Sequence, residues 1–232
     1  WQHSELETMM WSSWDTNPYN AANGGPCETS ADFFDDPDAL AQQDRFVEFA
    51  VQRWGDHPAL AMWEVINEVD GILDVPSSTV VAWARDHADT IRTLDGEAHP
   101  VSWSTSIPAH VVDDQDWTGA DFAQVHAYLW SDVDPVADGV AALIETHPPV
   151  LVGEWGLDWM GEMDVADTEG LAWHNASWAA VACGSAGNAL TWWWDNHIEP
   201  DDLWWRVAGL AATIADLDLP ARLAGDDDLR AE

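Results

Sequence analysis

Short, mostly apolar runs alternate along this chain with longer amphipathic segments, and this alternation limits the folds open to it. Residues 60–63, 122–125 and 150–152 are such runs, and each has the length of a buried strand. The amphipathic segments between them repeat their apolar residues every three or four positions, as a helix with one buried face does. Buried strands that alternate with helices predict a parallel sheet covered by helices.

The chain therefore belongs to the α/β class, and its spacing fits a TIM (β/α)8-type barrel. Glu68 and Glu154 follow two predicted strands and are 86 residues apart, which is close to three barrel units of about 31 residues. His126 lies 58 residues after Glu68, close to two such units. We expect six βα units, with strands at 6–14, 60–68, 101–105, 122–128, 150–156 and 189–194.

Two of the predicted helices have clear start signals. Asp36-Pro37 places an N-capping carboxylate before a proline at the first helical position, and Asp134-Pro135 is expected to start another helix. Gly55 is expected to end the first of these helices. Further helices are predicted from apolar stripes, which lie within 80–91, 171–184 and 203–217. We expect one domain over 1–225 and a solvated acidic tail over 226–232.

Charge excludes several classes of partner. The chain has 43 acidic and 7 basic residues, and its net charge of −36 argues against nucleic acid and against an anionic membrane. An acidic surface that repels its substrate, a disordered acidic protein and adaptation to concentrated salt are the alternatives. A hydrophobic content of 47% with 18 tryptophans argues against disorder, and salt adaptation fits best. Oligomeric state is not readable.

Little in the sequence points to a membrane or to a redox site. No apolar run is long enough to span a bilayer, and the first residues lack the pattern of a signal peptide. A secreted or cell-surface location in a high-salt environment is nevertheless expected. Cys27 and Cys183 are too few for a disulfide framework, and unpaired thiols are expected.

Two glutamates occupy the same setting at the ends of two apolar strands. Asn67-Glu68 ends the run from Leu60, and Glu154 lies in Val150-Leu151-Val152-Gly153-Glu154-Trp155-Gly156. Either carboxylate alone would more often be solvated or salt-bridged. The pair at barrel spacing instead predicts the two carboxyl groups that cleave a glycosidic bond.

Four motifs resemble those of clan A glycoside hydrolases, in particular the cellulase- and mannanase-like enzymes of the family 5 type. Asn67-Glu68 resembles the end of the family's strand 4, and His126-Ala127-Tyr128 resembles the His-x-Tyr of strand 6. Glu154 with its flanking residues resembles the nucleophile strand 7, and Thr191-Trp192-Trp193-Trp194-Asp195-Asn196 resembles strand 8. The four motifs occur in the family's order.

The resemblance implies a role for each of these residues. Glu68 would be the acid/base, which must carry a proton near neutral pH, and Glu154 would be the nucleophile, which must be ionised. Tyr128 would donate a hydrogen bond to Glu154. Asn67 would bind the sugar 2-hydroxyl, a contact that strengthens as oxocarbenium character develops. His126 would line the sugar site, although a structural role for it is equally plausible.

Aromatic residues supply the candidates for sugar stacking. If 189–194 is a strand, alternation places Trp192 and Trp194 on one side, and these two are the expected platforms. Trp193 is expected to pack between barrel and helices. Trp14 is a weaker candidate for the sugar site. No metal or phosphate-binding motif is present, so cofactor-free hydrolysis with a carbohydrate substrate is expected.

The family's strands 1 and 2 have no counterpart in this sequence. The family's strand 2 supplies an arginine near the nucleophile, and no arginine here occupies such a place. The expectation is either a fragment or an open, gapped barrel. The leading function is a retaining hydrolase of a β-glucan or β-mannan. The alternatives are a non-catalytic carbohydrate-binding remnant and, less favoured, an acidic scaffolding protein.

Overall fold

The computed structural model of the chain describes residues 1–6, 12–106, 117–128, 134–147 and 149–217, with the side chain of Pro135 excepted. Within these ranges, five short strands and six α-helices are joined by loops and 3₁₀ turns. The strands are β1 (Trp63–Glu64), β2 (Val101–Ser102), β3 (Ser104–Thr105), β4 (Ala123–Tyr128) and β5 (Val150–Gly156). The helices are α1 (Pro37–Trp54), α2 (Ser77–Leu94), α3 (Asp134–Ile144), α4 (Glu162–Ala166), α5 (Leu171–Ala182) and α6 (Ala208–Leu217).

The strands are parallel and pair in the order of the chain. β1 pairs with β2, β3 with β4, and β4 with β5. Trp103 separates β2 from β3 and is fully buried, and the Ser104 N–H still donates to Ile66, which continues the pairing beyond β1. The predicted mixture of helices and parallel strands is therefore present. The described residues do not show a closed barrel or six complete βα units.

The outer side of β1 is occupied by a segment that the sequence analysis did not assign to the sheet. Gln2 forms a parallel bridge with Asn67. The amino-terminal ammonium group of Trp1 donates to the Val65 carbonyl, and the Asn67 N–H donates to the Trp1 carbonyl. Leu6 instead ends a 3₁₀ turn, His3–Glu5, and Trp14–Thr16 forms another. The strand predicted over 6–14 is thus wrong at its two ends, and 7–11 lie outside the described residues.

The predicted strand over 189–194 is also wrong. Ser185 and Thr191 make single bridges to Val150 and Trp155, and Trp192–Trp194 is a 3₁₀ turn. The physical reason lies in the partner strand, because β5 ends at Gly156, one residue after the position that Thr191 pairs with. Beyond this point the backbone has no ladder to join on the β5 side, so it coils.

The predicted helices are confirmed over most of their length. Asp36 caps α1 by accepting from the N–H groups of Asp38 and Ala39, Pro37 is its first residue, and Gly55 follows its end. Helices α2, α3 and α5 coincide with the predicted stripes. The predicted helix over 203–217 begins instead as a 3₁₀ turn, Trp204–Val207, and becomes α-helical at Ala208.

The core lies between the strands and the helices. Val125, Val150 and Val152 on the strands are buried, and they belong to one cluster with Val47 of α1 and Ala84 of α2. No described helix is long and apolar enough to cross a membrane. Both cysteines are free thiols, with Cys27 buried and Cys183 partly buried. The predicted acidic tail, 226–232, lies outside the described residues.

Candidate active site

Glu68 stands directly after the extended segment that continues β1. Its backbone N–H donates to the Ser104 hydroxyl, with the two atoms 2.9 Å apart, and this bond ties it to β3. Glu68 has φ = 52°, in the left-handed region that a residue with a side chain enters only at a cost. The chain then turns through Val69–Gly71. This backbone turn sets the direction of the Glu68 side chain.

The direction of the Glu154 side chain is set by an irregularity in the pairing of β4 with β5. Val125 pairs with Val152 but His126 pairs with Glu154, so Gly153 is an extra residue on β5. Because side chains alternate along a strand, a shift of one residue exchanges its two faces. The bulge therefore brings Glu154 to the same side of the sheet as His126. A Cβ at Gly153 would lie 2.8 Å from Cγ and Cδ of Gln124, so only glycine fits there without movement.

His126 lies between the two glutamates. Its Nδ1 is 2.7 Å from Glu68 Oε1 and 3.4 Å from Glu154 Oε2. One oxygen of each carboxylate and this nitrogen all lie within 4.8 Å of one another. The His126 side chain is 1% exposed, and each glutamate side chain is 14% exposed. The two carboxyl groups are thus close together, largely desolvated and still reachable from solvent.

Glu154 accepts a hydrogen bond on each of its oxygens. The Asn67 amide donates to Oε1 over 3.1 Å, and the Tyr128 hydroxyl donates to Oε2. The side-chain oxygen Oδ1 of Asn67 in turn accepts a hydrogen bond from Nδ1 of His3 at 2.9 Å. The same Nδ1 lies 3.3 Å from Glu68 Oε2. The site thus has a second imidazole, which holds the Asn67 amide in the orientation that donates to Glu154.

Burial and charge shift the pKa values within this cluster. Burial raises the pKa of Glu154, the Glu68 and Glu64 carboxylates add to the rise, and His126 and the Tyr128 hydroxyl oppose it. Burial alone would lower the pKa of His126, but its bond to Glu68 and the charge of Glu154 outweigh burial and raise it. Burial and the charge of Glu154 also raise the pKa of Tyr128, which therefore stays a hydrogen-bond donor.

Of the predicted site residues, the structure brings together Asn67, Glu68, His126, Tyr128 and Glu154. Their arrangement agrees with the sequence expectation that the polar ends of neighbouring parallel strands share one edge of the sheet. The hydrogen bond from Tyr128 to Glu154 was expected from the family resemblance and is present. For His126, the observed contacts are with both glutamates.

The predicted stacking residues lie beyond the carboxyl end of β5. Trp192 and Trp194 are 46% and 53% exposed, in the turn that follows the bridge from Thr191 to Trp155. Trp193 is partly buried on the loop that follows β5, where its indole N–H donates to the Asp158 carbonyl and its ring covers Gly161. Because 192–194 is not a strand, the alternation of side chains does not explain why Trp192 and Trp194 are exposed. The fixed position of Trp193 explains it, since its neighbours on both sides then point away from the loop that holds Trp193.

Trp14, the weaker stacking candidate, is almost fully buried. It is 6% exposed, and it lines a small cavity with 28–31 and Asp74. Asp74 lies on the segment that follows the Glu68 turn, so this cavity lies beside that segment. Its indole offers little free face for a sugar in this conformation.

Other carboxylates near the motifs have structural roles. Asp158 accepts from the backbone N–H groups of Met160, Gly161 and Met163, and these bonds lower its pKa against the opposing effect of burial. Asp70 accepts from the backbone and the hydroxyl of Ser106, both at 2.7 Å. Glu64 and Asp195 are exposed.

Sequence reasoning missed His3, Ser104 and the role of Gly153. His3 carried no motif, and its approach to Asn67 depends on the unpredicted pairing of Gln2. Its ring also needs Gly71, where a Cβ would lie 2.9 Å from the His3 ring. The glycine before Glu154 was visible as part of a motif, and a glycine inside a strand is a known signal for a bulge.

The combined chemistry is that of two carboxyl groups with different partners. Glu154 faces two neutral donors that suit an ionised carboxylate, whereas Glu68 shares a short hydrogen bond with an imidazole that can hold a proton. Such a pair can protonate one atom of a substrate bond while a nucleophilic oxygen attacks the other atom. The same three groups, Glu68, His126 and Glu154, also have ligand atoms that could hold a metal ion.

Comparisons with known proteins show structural similarity at low sequence identity. No protein-family model and no curated protein matches the chain. Among solved structures, a Lactobacillus rhamnosus beta-glucuronidase is similar at 19% identity, over 60% of this chain and 27% of that one, with a TM-score of 0.37. The chain thus spans about a quarter of the length of that enzyme. At this identity and TM-score the similarity assigns neither family nor activity.

Proposed function

We propose that this protein is a retaining β-glycoside hydrolase, with Glu154 as nucleophile and Glu68 as acid/base. The observation that carries the proposal is the closeness of the two carboxyl groups, whose nearest oxygens lie within 4.8 Å. Retaining enzymes hold their two carboxyl groups about 5 to 5.5 Å apart, whereas inverting enzymes need about 6.5 to 9.5 Å to admit a water molecule. The short separation favours retention.

The first step breaks the glycosidic bond and forms a glycosyl-enzyme. An oxygen of Glu154 attacks the anomeric carbon, the bond to the leaving oxygen breaks, and Glu68 transfers its proton to that oxygen. The hydrogen bond between Glu68 and His126 supports this role because it orients the Glu68 carboxyl group and can stabilise its negative charge after the proton has left. Asn67 and Tyr128 hold Glu154 in place for the attack.

The second step releases the sugar with its original configuration. Glu68, now ionised, takes a proton from a water molecule, whose oxygen attacks the anomeric carbon and displaces Glu154. The resemblance assigns Asn67 to the sugar 2-hydroxyl. This role is compatible with its position, since its amide already lies 3.1 Å from the carboxylate that attacks the neighbouring carbon.

A β-glucan or β-mannan is the proposed substrate class, and the half-exposed Trp192 and Trp194 are the proposed stacking surfaces. Indole faces suit the flat, apolar faces of β-linked pyranoses. His126 would line the sugar site from between the two carboxylates, and Trp14 would support it from behind the Asp74 loop.

The test is hydrolysis of aryl β-glycosides and of soluble β-glucan and β-mannan in molar salt, with the anomer of the first product read by NMR. We expect retained configuration, loss of turnover in Glu154→Ala, and partial rescue of that variant by azide with inverted product. Glu68→Ala should spare substrates with good leaving groups, which need no protonation. Glu97→Ala, which removes an exposed glutamate, is the matched control.

Near wild-type turnover in Glu154→Ala would show that the nucleophile is assigned wrongly. An inverted product from the wild-type protein would refute the retaining mechanism. Saturable binding of oligosaccharide without any turnover, lost in Trp192→Ala, would replace the proposed hydrolase by a carbohydrate-binding protein.

A further inference from the structure

The catalytic cluster also has the composition of a transition-metal site. Glu68, His126 and Glu154 offer two carboxylate oxygens and one imidazole nitrogen within 4.8 Å of one another. Within the residues that the structure describes, this is the one group of three or more His, Cys, Asp or Glu side chains with such spacing. We propose that this cluster binds one Zn²⁺ ion, which excludes the substrate and stops hydrolysis. The inhibition rests on the proposed function, whereas the metal binding does not.

The distances are close to those that a tetrahedral ion requires. Two ligands that are each about 2.1 Å from a zinc ion lie about 3.4 Å from each other. Nδ1 of His126 is already 3.4 Å from Glu154 Oε2. Its distance to Glu68 Oε1 is 2.7 Å, shorter because a proton lies between the two atoms, and it would lengthen when the metal replaces that proton. The two carboxylates repel each other without the ion and would close around it.

Hydrogen bonds from neighbouring groups already orient the ligands. Tyr128 donates to Glu154 Oε2 and Asn67 donates to Oε1, while Ser104 holds the backbone of Glu68. Partners of this kind fix ligand orientation and add about 10- to 100-fold to metal affinity. Three protein ligands leave a fourth tetrahedral position open, as in catalytic zinc sites, and the 14% exposure of each glutamate lets an ion enter.

The donor set selects zinc over magnesium and calcium. Imidazole is a good ligand for Zn²⁺, whereas Mg²⁺ and Ca²⁺ require six or more oxygen ligands. The net charge of −36 raises the local concentration of any cation, so the surface also attracts Zn²⁺ weakly. Binding at the cluster must therefore be distinguished from surface binding, and molar NaCl does so because it screens the exposed carboxylates.

The ion would stop hydrolysis because it occupies the groups that the reaction uses. Zinc would draw electron density from the Glu154 carboxylate, which weakens it as a nucleophile, and would occupy the space that the anomeric carbon needs. A zinc-bound Glu68 carboxylate carries no proton for the leaving oxygen. The ligands are 58 and 28 residues apart, so no short sequence motif reveals them. For this reason the sequence motifs alone predict no metal site.

The experiment titrates the full, EDTA-treated and desalted chain in 1 M NaCl with ZnSO₄ by calorimetry, and with CoCl₂ by visible absorption. We expect one saturable site, tetrahedral Co²⁺ bands, and no response to MgCl₂. His126→Gln and Glu154→Gln should each weaken Zn²⁺ binding by more than about 100-fold, since a lost ligand costs more than a lost supporting bond. His99→Gln, which removes a histidine paired with one carboxylate at 2.9 Å, should bind as wild type does.

Circular dichroism melts show whether each variant is folded. If His126→Gln does not fold, Glu68→Gln replaces it as the variant that lacks one ligand. An affinity that is unchanged in folded ligand variants, or the absence of a saturable site, would overturn the inference. In the hydrolysis assay Zn²⁺ should inhibit competitively and EDTA should reverse it. Zn²⁺ binding that depends on His126 without any hydrolysis would refute the proposed function alone, whereas hydrolysis that Zn²⁺ leaves unchanged would refute the inference alone.

Discussion

Gly153→Ala tests whether the bulge in β5 sets the position of the nucleophile. The new Cβ would lie 2.8 Å from Cγ and Cδ of Gln124, a side chain that is 5% exposed and has little room to withdraw. Ordinary contact begins near 3.4 Å, so the two strands or the side chain must separate by at least about 0.6 Å. Overpacking of this kind costs about 1 to 3 kcal/mol of unfolding free energy.

The same movement acts on catalysis, because Glu154 is the next residue. A displacement of 1 Å costs about 100-fold in turnover, so a shift of this size should lower kcat by about 10- to 100-fold. Gly96→Ala is the matched control, because a Cβ there meets nothing within 4 Å. Urea unfolding and hydrolysis of an aryl glycoside measure the two effects. If Gly153→Ala matched Gly96→Ala in both, the bulge would not position Glu154.

Three further predictions concern the site and the surface. Burial raises the pKa of Glu154, which must be ionised to attack, so the acid limb of the kcat/KM profile should lie above the ordinary glutamate value of about 4.3. Tyr128→Phe removes a bond that lowers this pKa, so the limb should move to higher pH and kcat should fall about 10- to 100-fold; a limb that stays or moves down contradicts the assignment. His3→Ala frees the Asn67 amide and should lower kcat/KM about 2- to 10-fold, whereas the exposed His57→Ala should not. The melting temperature should rise from 0.1 to 1 M KCl, since the Debye length falls from about 10 to about 3 Å, and a flat or falling curve would argue against salt adaptation.

Local signals in the sequence predicted the helices well. Asp36 and Pro37 begin α1 through contacts within three residues, so no knowledge of the rest of the fold was needed. The position of Glu154 was also predictable, because it follows a run that is buried from Val150 to Val152. Before Glu68 the buried apolar residues are Val65 and Ile66, whereas Ala61 and Met62 are exposed. The strand predicted over 60–68 is therefore wrong at its start, and β1 covers only Trp63–Glu64. Parallel pairing then brings the ends of such strands to one edge of the sheet.

What could not be predicted depends on contacts between distant segments. The turn at Trp192–Trp194 follows from where β5 ends, and β5 lies more than thirty residues earlier. The pairing of Gln2 with Asn67 places His3 at the site, and nothing near His3 in sequence indicates it. The apolar pattern around 6–14 resembled a strand, but the described ends of that segment form 3₁₀ turns.

The left-handed backbone at Glu68 sets stability against activity at one position. Glycine adopts φ near 52° without strain and asparagine does so readily, whereas glutamate gives up about 1 kcal/mol of folding free energy there. A library randomised at this position and selected only for thermal resistance should therefore drift towards glycine or asparagine. The same library selected on glycoside hydrolysis should retain glutamate. Deep sequencing of the two pools would show directly whether glutamate is retained at this position for its chemistry although it lowers the stability of the fold.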